Sequence, residues 1–444
     1  MSKAQMFFTA LRPPIMRRIE QIGSADVVIG VPCFNNAQTI DHVISTASRG
    51  LWELDKNMRA VIIVSEGGST DDTREVAREV ALAHTHESAR GPGLAPWQEL
   101  IVTIYRGAGG KGTAFRLIFE AVEKLGAQAC LVFDSDLRSI TPEWVRYLLE
   151  PILNKGYHFV APNYARYKYD GTITNNIVYN LTRALYGKRI RQPIGGDFAF
   201  SRLLARFYSN QEVWDTDVAR FGIDIWMTTM AITQGFKVCQ ANLGLKVHDA
   251  KDPASDLGAM FRQVVMTLFS LMESNEPIWK KVRGSEPVES FGAANLWERE
   301  PEPVKASLDK LIEGYQSGFH LFKNTWKDLI NPESFKELEH LARVRNPHNF
   351  LFPIEAWVRI LYDFAAIFHH LPDHRRRLVD IMSPLYFARV ASFVVSTEKM
   401  STQESEALVE RQAEAFEKNK DYLIERWDNG GQWSQRVEED INHL

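Results

Sequence analysis

At 444 residues the chain is longer than one ordinary domain and suits two. Its 52 basic and 56 acidic residues leave a formal charge of -4, with no basic excess for a nucleic acid or other polyanionic partner. A hydrophobic fraction of 45% and a charged fraction of 24% are those of a globular protein. No run approaches the roughly 18 to 20 uninterrupted apolar residues of a membrane span, and Met1 to Ala10 makes a poor signal peptide. The expected setting is the cytoplasm, with no membrane partner. Cys33, Cys130 and Cys239 each fall in or beside an expected strand and read as reduced, buried thiols.

The elements follow in chain order. A helix is expected around Ile15 to Ile22, and the β-branched run Asp26 to Pro32 reads as a buried strand. Asn35 and Asn36 are placed to cap a helix that continues to about Ser48. A second strand, Ala60 to Ser65, leads into Glu66-Gly67-Gly68-Ser69-Thr70-Asp71-Asp72-Thr73, and a helix follows from Thr73 to about Ala83. After a Gly/Pro-rich loop come a short strand near Leu100 to Tyr105, the turn Gly107 to Gly112 and a helix from Thr113. Strand Cys130 to Phe133 ends in Asp134-Ser135-Asp136, and Pro142 opens the next helix in its first turn. This βαβαβ alternation predicts a doubly wound α/β sheet.

Past about residue 255 the strand signals give way to helical spacing, beginning with an amphipathic helix over Asp256 to Met272. The expected division is a domain over 1–290, with 1–24 as a helical lead-in, and an all-helical domain over 300–444. The segment Pro287 to Pro303 is the expected boundary.

An apolar strand ending in Asp134-Ser135-Asp136 sets two anions at the carboxyl edge of a parallel sheet, where open α/β folds bind ligands. Such anions coexist only when water, donors or a cation offset them, and a hard divalent ion bridging to a diphosphate does so. Gly109-Gly110-Lys111-Gly112 lets backbone approach a phosphate and supplies a countercharge at a helix start. Its spacing is neither that of a P-loop nor that of a dinucleotide fingerprint. Further on stand Gln192-Pro193-Ile194-Gly195-Gly196-Asp197, Phe221-Gly222-Ile223-Asp224 and Asn242 to His248. The run Asp256 to Gln263 follows.

Together and in this order, these segments resemble the GT-A glycosyltransferases. More specifically, residues 26 to 272 are similar to the retaining glucosyl-3-phosphoglycerate synthase and glucosylglycerate synthase family, and distantly to mannosylglycerate synthase. The resemblance implies a Rossmann-like mixed sheet and transfer of a hexose from a UDP-, ADP- or GDP-glucose or -mannose donor. The acceptor it implies is D-glycerate or 3-phosphoglycerate. It implies that Asp136 and His248 ligate Mg²⁺ or Mn²⁺, with Asp134 and Ser135 at the nucleotide. Pro32, Phe34 and Glu66 would line the base and ribose pocket, and Lys111 would meet the diphosphate. Asp224 would hydrogen-bond the donor sugar, and Ile194 would offer its carbonyl near the anomeric carbon while Gly195 and Gly196 let the sugar come close. Thr174, Asn175 and Asn176 match the segment that holds the acceptor carboxylate.

The phosphoglycerate-using branch carries an arginine before that threonine and an asparagine soon after the metal histidine. Here Thr172 and Ile173 precede Thr174, and Ala250 follows His248, so free D-glycerate is the expected acceptor. Arg166 and Lys168 are alternative sources of charge. An inverting enzyme would need a carboxylate base, for which Asp197 and Asp224 are the motif-borne candidates; the resemblance implies retention instead. The expected role of the helical domain is homodimer formation or covering the acceptor site. His369, His370 and His374 read as solvated surface, since adjacent helical positions face apart. The rival readings are an inverting family-2-like transferase acting on a polysaccharide or lipid, a non-catalytic nucleotide-sugar binder, and a nucleotidyltransferase.

Overall fold

The computed structural model describes residues 9–55, 57–88, 98–248, 258–429, 438 and 441. Ala250 and the start of the Asp256 to Gln263 run lie outside the described residues. Contacts group the chain into two units that interleave along the sequence. One comprises Met1–Ala165, Ile190–Asp249 and Val288–Arg299; the other comprises Arg166–Arg189, Ala250–Pro287 and Glu300–Leu444.

The first unit is built on eight strands: β1 (Val27–Cys33), β2 (Ala60–Glu66), β3 (Gln98–Ile104), β4 (Ala129–Val132), β5 (Phe159–Ala165), β6 (Phe198–Ser201), β7 (Val238–Leu245) and β8 (Ser290–Gly292). Their order is β8-β7-β5-β6-β4-β1-β2-β3. All neighbours are parallel except β6, which runs antiparallel to both β4 and β5. Every residue of β1 and β2 is buried. That accounts for their unbroken apolar runs, because a central parallel strand is covered on both faces. The connections from β1 step outward through β2 to β3, and the chain then returns to place β4 on the opposite side of β1. The loops after β1 and β4 therefore open at a topological switch point, the place where doubly wound sheets bind ligands.

Helices Ile40–Leu54, Thr73–Ser88, Lys111–Leu125 and Pro142–Lys155 make the crossovers. Ile40, Val43, Ile44, Ala47 and Leu51 join Val27, Ile29, Val31, Trp144 and Leu148 in one core cluster. Each fully buried aliphatic side chain there contributes about 1.5–3 kcal/mol. The first of these helices begins at Ile40, later than the sequence suggests, because Asn35 and Asn36 do not cap it. Asn35 takes a left-handed conformation (φ 56°), and its side chain accepts from Thr70 N at 2.8 Å. The Asn36 side-chain oxygen Oδ1 accepts from Phe34 N and Ser135 Oγ. Strand structure also reappears beyond residue 255: Ser290–Gly292 extends the sheet along Gln240–Asn242, a pairing too short to show periodicity.

The second unit is helical, with Tyr179–Tyr186, Gly258–Ser274, Leu308–Leu329, Pro332–Ala342, Ile354–His370, Arg375–Thr397, Thr402–Lys418 and Lys420–Asn429 as its main helices. Trp279, Trp326, Trp357 and Trp427 are fully enclosed. Local signals fix several ends. Asn331 accepts from Glu333 N and Ser334 N ahead of Pro332, and Ser401 with Glu404 forms a reciprocal capping box. The stretch Pro372–Thr397 is long and apolar enough to cross a membrane by composition, but 72% of its most apolar window is buried within the protein. His369 stacks on Trp427 at 4.4 Å and His370 Nε2 meets the Trp427 carbonyl at 2.8 Å, so both rings are packed against the last helix.

Candidate active site

Two loops meet at the switch point. After β1, Phe34 projects with 57% of its surface exposed. The loop is pinned to the turn after β2 by Asn35 N to Ser69 Oγ (2.9 Å), Asn36 N to Thr73 Oγ1 (2.7 Å) and Gly67 N to the Cys33 carbonyl (2.9 Å). Glu66, at the end of β2, is fully buried; Oε1 accepts from Ser69 N, and Arg74 Nε lies 3.9 Å from Oε2. Pro32 sits in β1 opposite Ser65. These residues leave an exposed aromatic ring over a rigid, polar turn.

After β4, Ser135 is committed inward. Its hydroxyl donates to Asn36 Oδ1 and its carbonyl accepts from Thr39 Oγ1, each at 2.7 Å. That locks the alternation of the tripeptide, so Asp134 and Asp136 point away from Ser135 into different environments.

Asp134 lies in a cluster of buried charges. Lys111 Nζ is 2.8 Å from Oδ1 and Lys246 Nζ is 3.0 Å from Oδ2, while Asp134 N donates to Asp197 Oδ1 at 2.8 Å. Lys111 also reaches Asp224 Oδ2 at 3.0 Å. Lys246 reaches Asp197 Oδ2 at 3.0 Å and the Gly195 carbonyl at 2.8 Å. Tyr164 OH donates to Asp197 Oδ2 as well. Two ammonium groups thus face three carboxylates. Burial opposes ionisation of Asp134, but Lys111 and Lys246 outweigh it and hold the carboxyl well below the usual range. Burial likewise opposes the charge on Lys111, and Asp134 and Asp224 overcome it, so the ammonium stays protonated. Asp224 is pushed up, by burial first and by Asp134 next, against the pull of Lys111. Asp197 is raised by burial and Asp134, with Lys246 opposing.

Asp224 carries a feature the others lack: Oδ1 is buried without a hydrogen-bond partner among the described residues. A stranded carboxylate oxygen costs roughly 1–3 kcal/mol or more, and a ligand hydroxyl placed there offsets it.

Asp136 faces His248. Oδ2 and Nδ1 are 3.6 Å apart, and the side chains keep 25% and 17% of their surface accessible. His248 follows β7, and its backbone is stitched to the β4 loop by Arg138 N to Val247 O (2.9 Å), Val247 N to Ser139 Oγ (2.8 Å) and Arg138 to the His248 carbonyl (3.2 Å). One divalent ion at about 2.1 Å from each atom spans that gap, so the pair fits a cation. No cluster of three His, Cys, Asp or Glu side chains suited to a metal occurs among the described residues. The remaining positions of an ion there would fall to phosphate oxygens or water.

The Gln192 to Asp197 loop closes the site. Thr228 Oγ1 donates to the Pro193 carbonyl (2.6 Å) and Lys246 holds that of Gly195, which fixes the peptide carrying the Ile194 carbonyl between them. The glycines answer to the protein's own packing. At Gly196 (φ +94°) a Cβ would stand 2.0 Å from Asp134 Oδ2, and at Gly195 it would stand 2.3 Å from Pro162. Gly112 is governed the same way: a Cβ there would lie 1.8 Å from the Val218 carbonyl. The glycine-rich turn before the Lys111–Leu125 helix is thus shaped by the Val218–Arg220 segment that leads to Asp224.

Lys246 is the residue with no sequence-level role that the structure puts at the centre of the cluster. Its own motif shows only a lysine between Leu245 and Val247, and its partners lie far upstream.

Thr174, Asn175 and Asn176 belong to the second unit, in a buried π-helical turn over Thr174–Val178. Asn176 Nδ2 donates to the Thr172 carbonyl (2.9 Å) and its Oδ1 accepts from Arg389. Arg166 makes a two-pronged pair with Asp170, both contacts at 2.9 Å.

Residues 28–214 match the family model described as Glycosyl transferase family 2. The curated glucosyl-3-phosphoglycerate synthase of Mycobacterium tuberculosis (strain H37Rv) is 26% identical over 275 residues, covering 55% of this chain and 72% of the relative. That of Mycolicibacterium paratuberculosis is 27% identical, covering 55% and 71%. A crystal structure of the M. tuberculosis enzyme with Mn²⁺, UDP-glucose and phosphoglyceric acid aligns at 25% identity over 60% of this chain and 86% of that one, with a TM-score of 0.44.

Proposed function

From a chain that is a GT-A glycosyltransferase with a family 2 domain, we propose a metal-dependent, retaining transfer of glucose from a nucleotide sugar to a glycerate-type acceptor. The observation that carries this reading is the 3.6 Å approach of Asp136 and His248 beside the Lys111–Asp134–Asp224 cluster at the switch point. Glucose and the glycerate-type acceptor follow the names of the curated relatives.

In this reading Phe34, Pro32 and Glu66 receive the base and ribose and Asp134 lines the nucleotide, while Ser135 holds the loop in place through Asn36 and Thr39. Lys111 uses two of its three N–H groups on Asp134 and Asp224, and the third is directed to a phosphate oxygen of the leaving group. Asp136 and His248 hold Mg²⁺ or Mn²⁺, which when bound offsets the charge of the diphosphate as a Lewis acid. The stranded Asp224 Oδ1 accepts from a donor-sugar hydroxyl. The Ile194 carbonyl lies towards the anomeric carbon, on the loop that Lys246 and Thr228 hold.

Of the two candidate bases for inversion, Asp197 is excluded by its bonding, and Asp224 is assigned to the donor sugar. Asp197 is wholly enclosed and bonded to Lys246, Tyr164 and Asp134 N, so it has no oxygen for an acceptor proton. The bond from the anomeric carbon to phosphate breaks as the bond to the acceptor oxygen forms on the same face. The acceptor proton passes to the departing phosphate.

Free D-glycerate is the favoured acceptor. The two cations that stand as alternatives to the missing arginine are occupied: Arg166 by Asp170, and Lys168 by the carbonyls of Thr397 (2.7 Å) and Met400 (2.6 Å). A matrix of UDP-, ADP- and GDP-hexoses against D-glycerate and 3-phosphoglycerate tests this, with nucleoside diphosphate release and the product's anomeric configuration as readouts. Acceptor-dependent release, an α-linked product and a preference for D-glycerate are expected. A β-linked product would overturn retention, and a preference for 3-phosphoglycerate would overturn the acceptor assignment.

A further inference from the structure

Asp134 and Asp136 are separated by a single serine, yet their charges are met in different ways. Asp136 faces the His248 imidazole 3.6 Å away, and both side chains keep part of their surface open. Asp134 carries an ammonium on each oxygen: Lys111 Nζ stands 2.8 Å from Oδ1 and Lys246 Nζ 3.0 Å from Oδ2.

Of the two lysines, Lys246 is the enclosed one, with a side chain 2% exposed against 14% for Lys111. An ammonium has three N–H groups to place. Lys246 directs them to three acceptors: Asp134 Oδ2, Asp197 Oδ2 (3.0 Å) and the Gly195 carbonyl (2.8 Å). Those acceptors are themselves held. Asp197 also accepts from Tyr164 OH and from Asp134 N, and Gly195 N donates to the Gln192 carbonyl at 3.1 Å. The Tyr164 ring centroid lies 4.9 Å from the Lys246 ammonium. With its three donors placed on the protein, Lys246 acts through the residues it holds.

Its effect on Asp134 follows from charge. A divalent ion sits on carboxylate oxygens at about 2.0–2.6 Å. On either oxygen of Asp134 that position is beside an ammonium, and like charges so close repel strongly. Asp136 and His248 present no such obstacle. Among the described residues no third His, Cys, Asp or Glu joins that pair in a metal-binding group.

We propose that Lys246 is a positioning residue that keeps Asp134 out of the cation's ligand set, by tying its Oδ2 to Asp197 and the Gly195 carbonyl. This rests on the reading of Asp136 and His248 as the metal pair. The protein then gives the ion only two ligands. It holds the ion loosely by itself and firmly once a diphosphate supplies further oxygens, so ion and sugar nucleotide are taken up together.

The test is titration of the full-length protein with Mn²⁺, followed by the electron paramagnetic resonance of the free ion, with and without UDP, GDP or ADP. Water proton relaxation on the same samples counts the waters on the bound ion. The wild type is expected to bind Mn²⁺ weakly alone and more tightly with one of the nucleoside diphosphates. Lys246→Met should bind Mn²⁺ alone about 10- to 100-fold more tightly than the wild type, the scale on which partners around a metal site move its affinity. Its bound ion should hold fewer waters, because Asp134 becomes a ligand. Adding Asp134→Asn to that variant should restore wild-type affinity. A protein merely destabilised by losing Lys246 would show no such gain. If Lys246→Met does not fold, Lys111→Met frees the other oxygen of Asp134 and should show the gain instead. Wild-type Mn²⁺ affinity in whichever variant folds would overturn the proposal, as would tighter binding with unchanged hydration, the signature of an altered field alone. Absence of nucleotide-dependent Mn²⁺ binding in the wild type would defeat the metal-dependent reading itself, and this proposal with it.

Discussion

Asp136 and His248 stand 3.6 Å apart although their strands, β4 and β7, are separated in the sheet by β5 and β6. The loop after β4 bridges that distance, and Arg138 and Ser139 tie it to the backbone at Val247 and His248. If the pair holds a cation, each half of it is needed. Asp136→Ala and His248→Ala should each lower nucleotide-sugar affinity in Mn²⁺ by at least the roughly 10- to 100-fold seen when a metal's outer partner is lost. In EDTA both variants should match the wild type in EDTA. Calorimetric titration under the two conditions is the check, and retained Mn²⁺ dependence in either variant would remove that residue from the ligand set.

Lys246 joins Asp134, Asp197 and Gly195, and its side chain is 2% exposed. Removing one partner from a buried charge cluster costs about 3–5 kcal/mol, since the carboxylates left behind are uncompensated. Lys246→Met should therefore unfold at clearly lower denaturant and lose donor turnover together. Lys124→Met, on the exposed end of the Lys111–Leu125 helix, serves as the control and should change neither. A Lys246→Met protein as stable as the wild type would show that the cluster carries no net stabilisation.

The depressed carboxyl of Asp134 makes stability depend on pH with a definite sign. Its folded value lies below the unfolded value of about 3.9, so its contribution is fully present above about pH 4 and is lost as pH falls further towards the folded value. Asp134→Asn should be less stable than the wild type at pH 6, and the difference should shrink as both are taken below pH 4. Denaturant unfolding at a series of pH values measures this. A gap that stays constant or widens in acid would contradict the assignment.

Asp134, Asp136, Lys111 and His248 are legible in the sequence because each sits in a short motif whose residue order is distinctive. The sheet is legible for a related reason: β1 and β2 are buried throughout, so their apolar runs are unbroken. Lys246 is not legible. Its three partners come from segments far along the chain, and no local spacing marks a lysine that will be enclosed by Asp134, Asp197 and Gly195. The glycines of the Lys111 turn suggest a phosphate cradle, yet Gly112 is required by the approach of Val218. Asn35 and Asn36 resemble helix caps, but the chain uses them to join two loops, a choice set by tertiary contacts.

Gly196 tests whether that packing matters to function. A methyl group at this left-handed position would enter the space of Asp134 Oδ2, at 2.0 Å. Overpacking of this kind costs about 1–3 kcal/mol, and the carboxylate is the movable partner. Gly196→Ala should displace Asp134 from Lys111 and Lys246, lowering both thermal stability and kcat/KM for the donor. Unchanged kinetics in a folded variant would show that the position of Asp134 is not critical.

The most direct measurement is a crystal structure with Mn²⁺ and a nucleotide sugar, with the ion located by its anomalous signal. The ion is expected between the Asp136 carboxylate and the His248 imidazole, also touching the diphosphate, with Lys111 against a phosphate oxygen. An ion bound elsewhere, or a diphosphate held with His248 turned away from Asp136, would contradict the account.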